Sequence, residues 1–251
     1  MFEVAAEAYD KFMGVYSAQL APQLAELGDV GPGQRVLDVG CGTGVLTAEL
    51  VGRLGPTGVA AVDPSDSFVA AVRQRHPEVE VKRAAAEELP FPDASFDAAL
   101  AQLVVHFMAD PVGGVREMAR VTRPGGVIAA CVWDFESERS PIAVFWQAAR
   151  ELDPEAEEES EVAAGRRGHL GELFRTAGLD EVSETELVAT RTFPTLDDWW
   201  GTFARGVSPS GTYVQSLDDE RRAALRERCS QLLGEAPFTI HAVAWAARGV
   251  T

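Results

Sequence analysis

A chain of 251 residues, 46% of them hydrophobic, is long enough for one large domain, or for a domain with a lid. Its formal net charge of −17 at pH 7 repels phosphate backbones and anionic bilayers, which disfavours nucleic acids and membrane surfaces as partners. Three cysteines without CxxC spacing, an acidic start and no apolar run of about 18 residues predict a reduced, cytoplasmic protein without disulfides, metal site or membrane span.

The first half of the chain alternates between helical and strand patterns. An amphipathic helix is predicted over 4–27, interrupted near Gly14 and at Pro22. Strands are then predicted over 34–40, 58–63, 79–84, from 96 onward and over 126–133, with helices over 44–54, 65–76 and 111–122. Five strands joined by helices predict a doubly wound, mostly parallel sheet with right-handed crossovers.

The second half is predicted to hold helices over 141–152, 169–177, 196–205 and 218–233. Two further strands, about 181–190 and 238–249, are expected to close a seven-stranded Rossmann-like α/β sheet. The expected domain plan is a helical cover over 1–30, an α/β core over 31–135 and a C-terminal half over 136–251. Within that half, helical lid segments are expected at about 136–167 and 195–236.

A glycine-rich loop follows the first predicted strand, in "VLDVGCGTGVL" (36–46). In open α/β sheets ligands bind beyond the carboxyl ends of the strands, and glycines let a ligand approach the backbone there. A dinucleotide fingerprint requires a third small residue where this chain has Val45, and no Tyr-x-x-x-Lys pair is present. Asp38 before the glycines, and Asp63 at the end of the next strand, instead suit a nucleoside joined to a zwitterionic amino acid.

Four segments carry a resemblance to a known family: "VLDVGCGTG" (36–44), "AVDPS" (61–65), "AEELPFPDASFD" (86–97) and "REMARVTRPGG" (116–126). In this order and spacing the chain resembles the class I S-adenosylmethionine-dependent methyltransferases, in the branch of ubiquinone/menaquinone-type and other small-molecule enzymes. The resemblance covers roughly 1–135 well and the remainder loosely. It implies S-adenosyl-L-methionine as cofactor and in-line methyl transfer to an O, N or C atom of a small-molecule acceptor, by a monomer or homodimer.

The resemblance also implies roles for individual residues. The methionine part of the cofactor would be surrounded by Asp38, Gly40, Cys41, Gly42 and Gly44. The ribose would be bound by Asp63, and the adenine would lie beside Pro64, Ser65, Ala85, Ala86 and Glu87. The family often has Asp at the position of Ala85, so the usual contact with the adenine amino group is missing here. Gln102 and Leu103 would lie near the sulfonium, and Tyr9 would reach the site from the N-terminal helix.

Several assignments stay open at this point. His106 is the candidate catalytic base, and the alternative is that its ring packs against the following helix. Tyr9 or Tyr16 lines the pocket, or both are ordinary aromatic packing. Asp134 orients an acceptor or caps a helix. For the whole chain, the alternatives to a methyltransferase are a non-enzymatic binding protein of the same fold and a nicotinamide-dependent oxidoreductase.

Overall fold

Seven strands form one sheet in the computed structural model, which describes residues 13–156, 165–203 and 209–251. The spatial order is β3-β2-β1-β4-β5-β7-β6. The strands are β1 (Val36–Val39), β2 (Val59–Asp63), β3 (Glu80–Arg83), β4 (Phe96–Gln102), β5 (Thr122–Trp133), β6 (Asp180–Phe193) and β7 (Phe238–Val250). Strands β1 to β5 pair in parallel, and β7 runs antiparallel to both β5 and β6. The doubly wound, mostly parallel seven-stranded sheet is therefore confirmed.

Helices cover both faces of this sheet, because β1 and β2 are buried throughout and need apolar cover on each side. The α-helices are α1 (Val15–Leu27), α2 (Val45–Leu54), α3 (Asp66–Arg75), α4 (Pro111–Val121), α5 (Ala143–Leu152), α6 (His169–Ala177), α7 (Leu196–Trp200), α8 (Pro209–Ser216) and α9 (Asp219–Leu233). Apolar residues of α1, α2 and α3 form one core layer with the sheet. Those of α4 and α6 form the layer on the opposite face. None of the described helices is long and apolar enough to span a membrane.

Helix α1 differs from the sequence prediction, because it runs through Pro22 without a break. A proline inside a helix removes one hydrogen bond and costs about 3 kcal/mol. Leu20 and Leu24 are completely buried on either side of Pro22, and Arg53 Nη2 donates to the Pro22 carbonyl oxygen at 3.1 Å. Packing against the sheet therefore outweighs the local preference. The expected break near Gly14 coincides with the start of α1.

Two glutamines of α1 cover the backbone of the edge strand β6. Gln19 donates to the carbonyl oxygen of Thr190 at 2.8 Å and accepts from its N–H at 3.0 Å. Gln23 makes the same pair of bonds with Val188, at 2.9 and 3.2 Å. The side-chain amides thus satisfy the exposed backbone groups that an edge strand presents. This pairing fixes α1 along the sheet and sets where its first turn lies.

The C-terminal helices form an aromatic cluster of their own. The Phe145 ring of α5 stacks on Phe203 with centroids 4.5 Å apart, and Trp199 meets Phe203 edge-on at 4.7 Å. Trp146 contacts Tyr213 of α8, a helix that the sequence analysis did not predict. These rings pack on one another, and none of them belongs to the lining of the cavity described below.

Candidate functional site

A cavity of about 580 Å³ opens beyond the carboxyl ends of β1, β2 and β4, on the side where the loops after these strands meet. Strands β1 and β4 are neighbours, and their crossovers leave toward opposite ends of the sheet, which is the switch point where ligands bind in open α/β sheets. The volume lies within the range of about 300–1,000 Å³ that small-molecule sites occupy. Twelve of the predicted site residues line it: Asp38, Gly40, Cys41, Gly42, Asp63, Pro64, Ser65, Ala85, Ala86, Glu87, Gln102 and Leu103.

The glycine loop takes backbone conformations that side chains disfavour. Gly40 has φ +72°, and a Cβ built there would lie 2.7 Å from Cγ1 of Val104 in the loop after β4. Gly44 caps α2 with φ +91°, and its built Cβ would lie 3.1 Å from Val72. Gly44 does not belong to the described lining, so its place in the structure is the turn into α2. Gly40 therefore lets the loops after β1 and β4 approach each other closely, and Gly44 allows the turn with which α2 begins.

Asp63 holds the loop after β1 against the loop after β2. Its Oδ2 accepts from the Gly42 N–H at 2.9 Å, and its Oδ1 accepts from the Ser65 N–H at 2.8 Å. Burial raises the pKa of Asp63, while these two hydrogen bonds act to lower it. Each carboxylate oxygen retains a further lone pair, so the side chain can still accept from hydroxyl groups of a ligand.

Asp38 is buried near the end of β1, and among the described residues only one of its two carboxylate oxygens has a hydrogen-bond partner. Thr47 Oγ1 of α2 donates to Asp38 Oδ2 at 2.6 Å. Asp38 Oδ1 is buried and has no hydrogen-bond partner in the described structure. Burial raises the pKa of Asp38 to about 7, and the nearby Asp63 adds to the rise. A buried, unpaired carboxylate oxygen costs free energy in the absence of a ligand, and a cationic donor would relieve that cost.

The opposite wall of the cavity is largely apolar. Ala85 and Ala86 belong to it, together with Phe68 of α3 and Met108 in the loop after β4, which the sequence analysis did not select. Glu87 also lines the wall, and its Oε1 accepts from the backbone N–H of Asp110 at 3.2 Å. This wall provides apolar contact area for a flat ring system, and it also carries one carboxylate. Nothing in the sequence marked Phe68 or Met108, because both reach the cavity only through the fold.

Gln102 ends β4 at the junction between the sheet and α1. Its Nε2 donates to the carbonyl oxygen of Ser17 at 3.1 Å, across 85 residues of sequence. Its Oε1 is buried and has no partner. The next residue, Leu103, is buried with φ +59°, so the chain leaves the strand through a left-handed turn. Strained non-glycine backbone of this kind is common at functional sites. Gly14 and Ser17 of the first turn of α1 also line the cavity, although the sequence analysis did not select them.

His106 and Tyr16 do not belong to the described lining of the cavity. The half-buried His106 ring contacts Phe107 at 4.0 Å between centroids, its Nδ1 has no partner, and burial lowers its pKa to about 4. Tyr16 is buried with its ring edge-on to Trp133 at 6.3 Å, and burial raises its pKa. Tyr9 lies outside the described residues.

Asp134 is completely buried, and both of its carboxylate oxygens are occupied. Its Oδ1 accepts from the Ser137 N–H at 3.0 Å, and Arg139 Nε donates to Oδ2 at 2.7 Å. Asp134 thus organises the loop after β5, and it does not belong to the described lining.

A family model described as "Methyltransferase domain" matches residues 37–130, the segment that contains both aspartates and the glycine loop. Residues 37–130 thus match a methyltransferase domain. The resemblance to class I S-adenosylmethionine-dependent methyltransferases is thereby confirmed for this domain.

Two curated relatives and one solved structure extend the comparison. The demethylmenaquinone methyltransferase of Mycobacterium sp. (strain KMS) is 40% identical over 150 residues, 58% of this chain and 63% of the relative. The malonyl-[acyl-carrier protein] O-methyltransferase of Serratia marcescens is 34% identical over 132 residues, 50% of this chain and 51% of the relative. The chain thus spans between half and two thirds of the length of these relatives.

The solved structure is a phosphoethanolamine N-methyltransferase 2 of Haemonchus contortus in complex with phosphomonomethylethanolamine and S-adenosylhomocysteine. It superposes with a TM-score of 0.59 at 18% identity, over 98% of this chain and 56% of that one. The two proteins therefore share their fold, and because the superposition covers 98% of this chain, the shared fold extends beyond residues 37–130.

Proposed function

We propose that the chain binds S-adenosyl-L-methionine and transfers its methyl group to a small-molecule acceptor. The observation that carries this proposal is the buried, unpaired Oδ1 of Asp38, set directly below a glycine loop in a cavity at the switch point. The cofactor supplies a methyl group on a positively charged sulfur, which the acceptor's nucleophilic atom takes up as the carbon–sulfur bond breaks. The match of residues 37–130 to a methyltransferase domain supports the same conclusion.

The described residues divide the cofactor's groups among them. The unpaired Oδ1 of Asp38 would accept from the ammonium group of the amino-acid part, and Asp63 would accept from the ribose hydroxyls. Pro64 and Ser65 would border the adenine, together with the apolar wall that includes Ala85 and Ala86. Because Ala85 offers no polar side chain, apolar contact and backbone groups would hold the adenine there. Cys41 packs in the loop as a buried, free thiol, and burial raises its pKa, which disfavours a role as nucleophile.

The chain contributes positioning and exclusion of water, because alignment of nucleophile, methyl carbon and sulfur supplies much of the rate in such a transfer. We propose that residues 1–30 act as a cover, that 31–135 bind the cofactor, and that 136–167 and 195–236 serve as lid segments. The first turn of α1 supports the role of the cover, since Gly14 and Ser17 line the cavity.

Calorimetric titration with S-adenosylmethionine, S-adenosylhomocysteine and NADH tests the proposal. We expect micromolar binding of the two sulfur nucleosides and no binding of NADH, followed by transfer of labelled methyl to an acceptor. For substitutions of the lining carboxylates Asp38 and Asp63, the matched control is Glu88→Gln. It removes an exposed carboxylate that is next to the site in sequence but does not belong to the described lining. Absence of binding to both sulfur nucleosides would refute the proposal, and NADH binding alone would favour the oxidoreductase. Cofactor binding without transfer to any acceptor would favour a non-enzymatic binding protein.

A further inference from the structure

One side-chain atom in the cavity is left without a role by the cofactor assignment. The Ser17 carbonyl oxygen can only accept, so the Gln102 amide must present Nε2 to it, and this fixes the orientation of the amide. Oε1 is therefore held as a hydrogen-bond acceptor, and it is buried without a partner. Buried polar atoms are nearly always paired, so an exception in a binding cavity indicates a ligand group that completes it.

The position of Gln102 separates it from the cofactor's polar ends. It ends β4 and contacts α1, whereas Asp38 lies one residue before the end of β1, and Asp63 ends β2. The cofactor's ammonium and hydroxyl groups are assigned to those two carboxylates. The Gln102 amide belongs to the side of the cavity that the first turn of α1 closes, where Ser17 also lines it.

The charges of the lining restrict what can bind on that side. The described lining has three carboxyl side chains, Asp38, Asp63 and Glu87, and its described residues include no Lys, Arg or His. An acceptor with a carboxylate or phosphate group would lose its hydration here without gaining a cationic partner from these residues. The described lining thus disfavours anionic acceptors.

The mouth of the cavity adds an apolar contact. Phe107 lines the cavity and is 76% exposed, while Met108 beside it also belongs to the lining. A large aromatic side chain left in solvent at the entrance of a site offers contact area to an apolar ligand.

We propose that Gln102 selects the methyl acceptor, and that its Oε1 accepts a hydrogen bond from an O–H or N–H group of a neutral, largely apolar molecule. This inference rests on the proposed function, since the acceptor binds beside the cofactor. Gln102 is thereby a specificity-determining residue whose contribution is the choice and placement of the acceptor.

Binding of three matched probes to the protein saturated with S-adenosylhomocysteine tests the inference. The probes are 2-naphthol, which offers an O–H donor, 2-methoxynaphthalene, which lacks it, and 2-naphthoate, which carries a negative charge. A site built to bond a hydroxyl discriminates strongly against the analogue without it, so we expect 2-naphthol to bind about tenfold or more tightly than either other probe. The saturating step is itself measured first, because failure of S-adenosylhomocysteine to bind would refute the proposed function and, with it, the inference.

Two variants separate acceptor selection from anchoring of α1. Gln102→Met removes Oε1 and is expected to bring the 2-naphthol preference close to onefold, measured with each protein saturated with S-adenosylhomocysteine at its own measured affinity. Gln102→Glu keeps an acceptor oxygen but loses the donor to Ser17, and it is expected to retain the preference. Gln231→Met, in the exposed part of α9, is the matched control.

Several results of the probe measurements would each overturn the inference. They are equal affinity of wild type for 2-naphthol and its methyl ether, an unchanged preference in Gln102→Met, tightest binding of 2-naphthoate, and no binding of any probe to the loaded protein. Loss of the preference in both Gln102 variants would assign Gln102 to anchoring α1 instead, and it too would refute selection through Oε1.

Discussion

The substitution Asp38→Asn tests the assignment of the cofactor's ammonium group. An asparagine can keep the bond from Thr47, because its amide oxygen accepts as Oδ2 does at 2.6 Å. Its NH₂ group then replaces the unpaired Oδ1, so a donor faces the place where the structure holds an acceptor. The change therefore removes the interaction with an ammonium group while leaving the shape of the site nearly intact.

The structure sets the size of the effect. A hydrogen bond to a charged group contributes roughly 1.5–3 kcal/mol, so at pH 8 we expect Asp38→Asn to weaken S-adenosylmethionine binding by about 10- to 100-fold. Burial raises the pKa of Asp38 to about 7 in the free protein, and an ammonium group bound beside it favours the ionised form. Wild-type affinity should therefore fall by up to about tenfold per unit as pH drops below 7. The variant should lack that pH dependence.

Protein stability provides a second readout that needs no cofactor. The pKa of Asp38 is higher in the folded protein, about 7, than its ordinary value of 3.8, so the folded state binds the extra proton between these pH values. The contribution of Asp38 to stability is thus greatest at low pH and decreases as pH rises toward 7, by about 4 kcal/mol over the whole window. Between pH 5 and pH 8 the unfolding free energy of Asp38→Asn should gain about 2.5 kcal/mol relative to wild type.

Titration calorimetry at pH 6, 7 and 8 measures the affinity, and urea unfolding of the cofactor-free protein at pH 5 and 8 measures the stability. Cofactor affinity that is equal in wild type and variant at pH 8 would refute the contact between Asp38 and the ammonium group. A stability difference that does not change with pH would refute the raised pKa itself, so the two parts of the reasoning fail separately.

Three further changes probe the rest of the site. Asp63→Ala removes the acceptor from both loop N–H groups and from the ribose, so calorimetry should show cofactor binding weakened by about tenfold or more, and wild-type affinity would contradict the ribose assignment. Gly40→Ala combines a φ of +72° with a Cβ only 2.7 Å from Val104, so denaturant unfolding should show a loss of about 2–4 kcal/mol. The control Gly33→Ala has φ +85° in open space and should lose only about 1–2 kcal/mol, and equal losses would mean that the contact is harmless. His106→Gln should keep turnover within about threefold of wild type, since the ring lies outside the described lining, whereas a loss of about 100-fold or more would identify it as the base.

The parallel core could be predicted from the sequence because its signals are local. Each buried strand is a short apolar run in the sequence. The turn after β1 is marked by glycines, and the positive φ of Gly40 shows that the backbone requires a glycine there. Helix α6 begins and ends where its pattern predicted, over His169–Ala177. Asp38 and Asp63 were found because each is an acid at the end of an apolar strand, which is visible without any knowledge of tertiary contacts.

Predictions failed where tertiary packing overrides local preference. Pro22 predicts a helix break, yet α1 continues through it, packed by the buried residues on either side. Strand β5 begins at Thr122, four residues before the predicted start at 126, and its pairing with β4 is irregular across the Pro–Gly segment, where Gly125 has φ +76°. The edge cover by Gln19 and Gln23 is likewise invisible in the sequence, since exposed glutamines on a helix are ordinary.

The two ends of the cavity therefore differ in how their residues come together. The cofactor end is built from neighbours in sequence: Asp38 and the glycines lie within seven residues, and Asp63 ends the next strand. The acceptor end joins Ser17 to Gln102, and Ser17 lies outside the segment 37–130 that matches the family. A substitution in α1 can thus reshape the acceptor end while the loop that holds the cofactor stays unchanged. Under the proposed function the same domain would in this way serve different acceptors, so the inference about the acceptor rests on the Gln102 amide and the lining charges rather than on the family match.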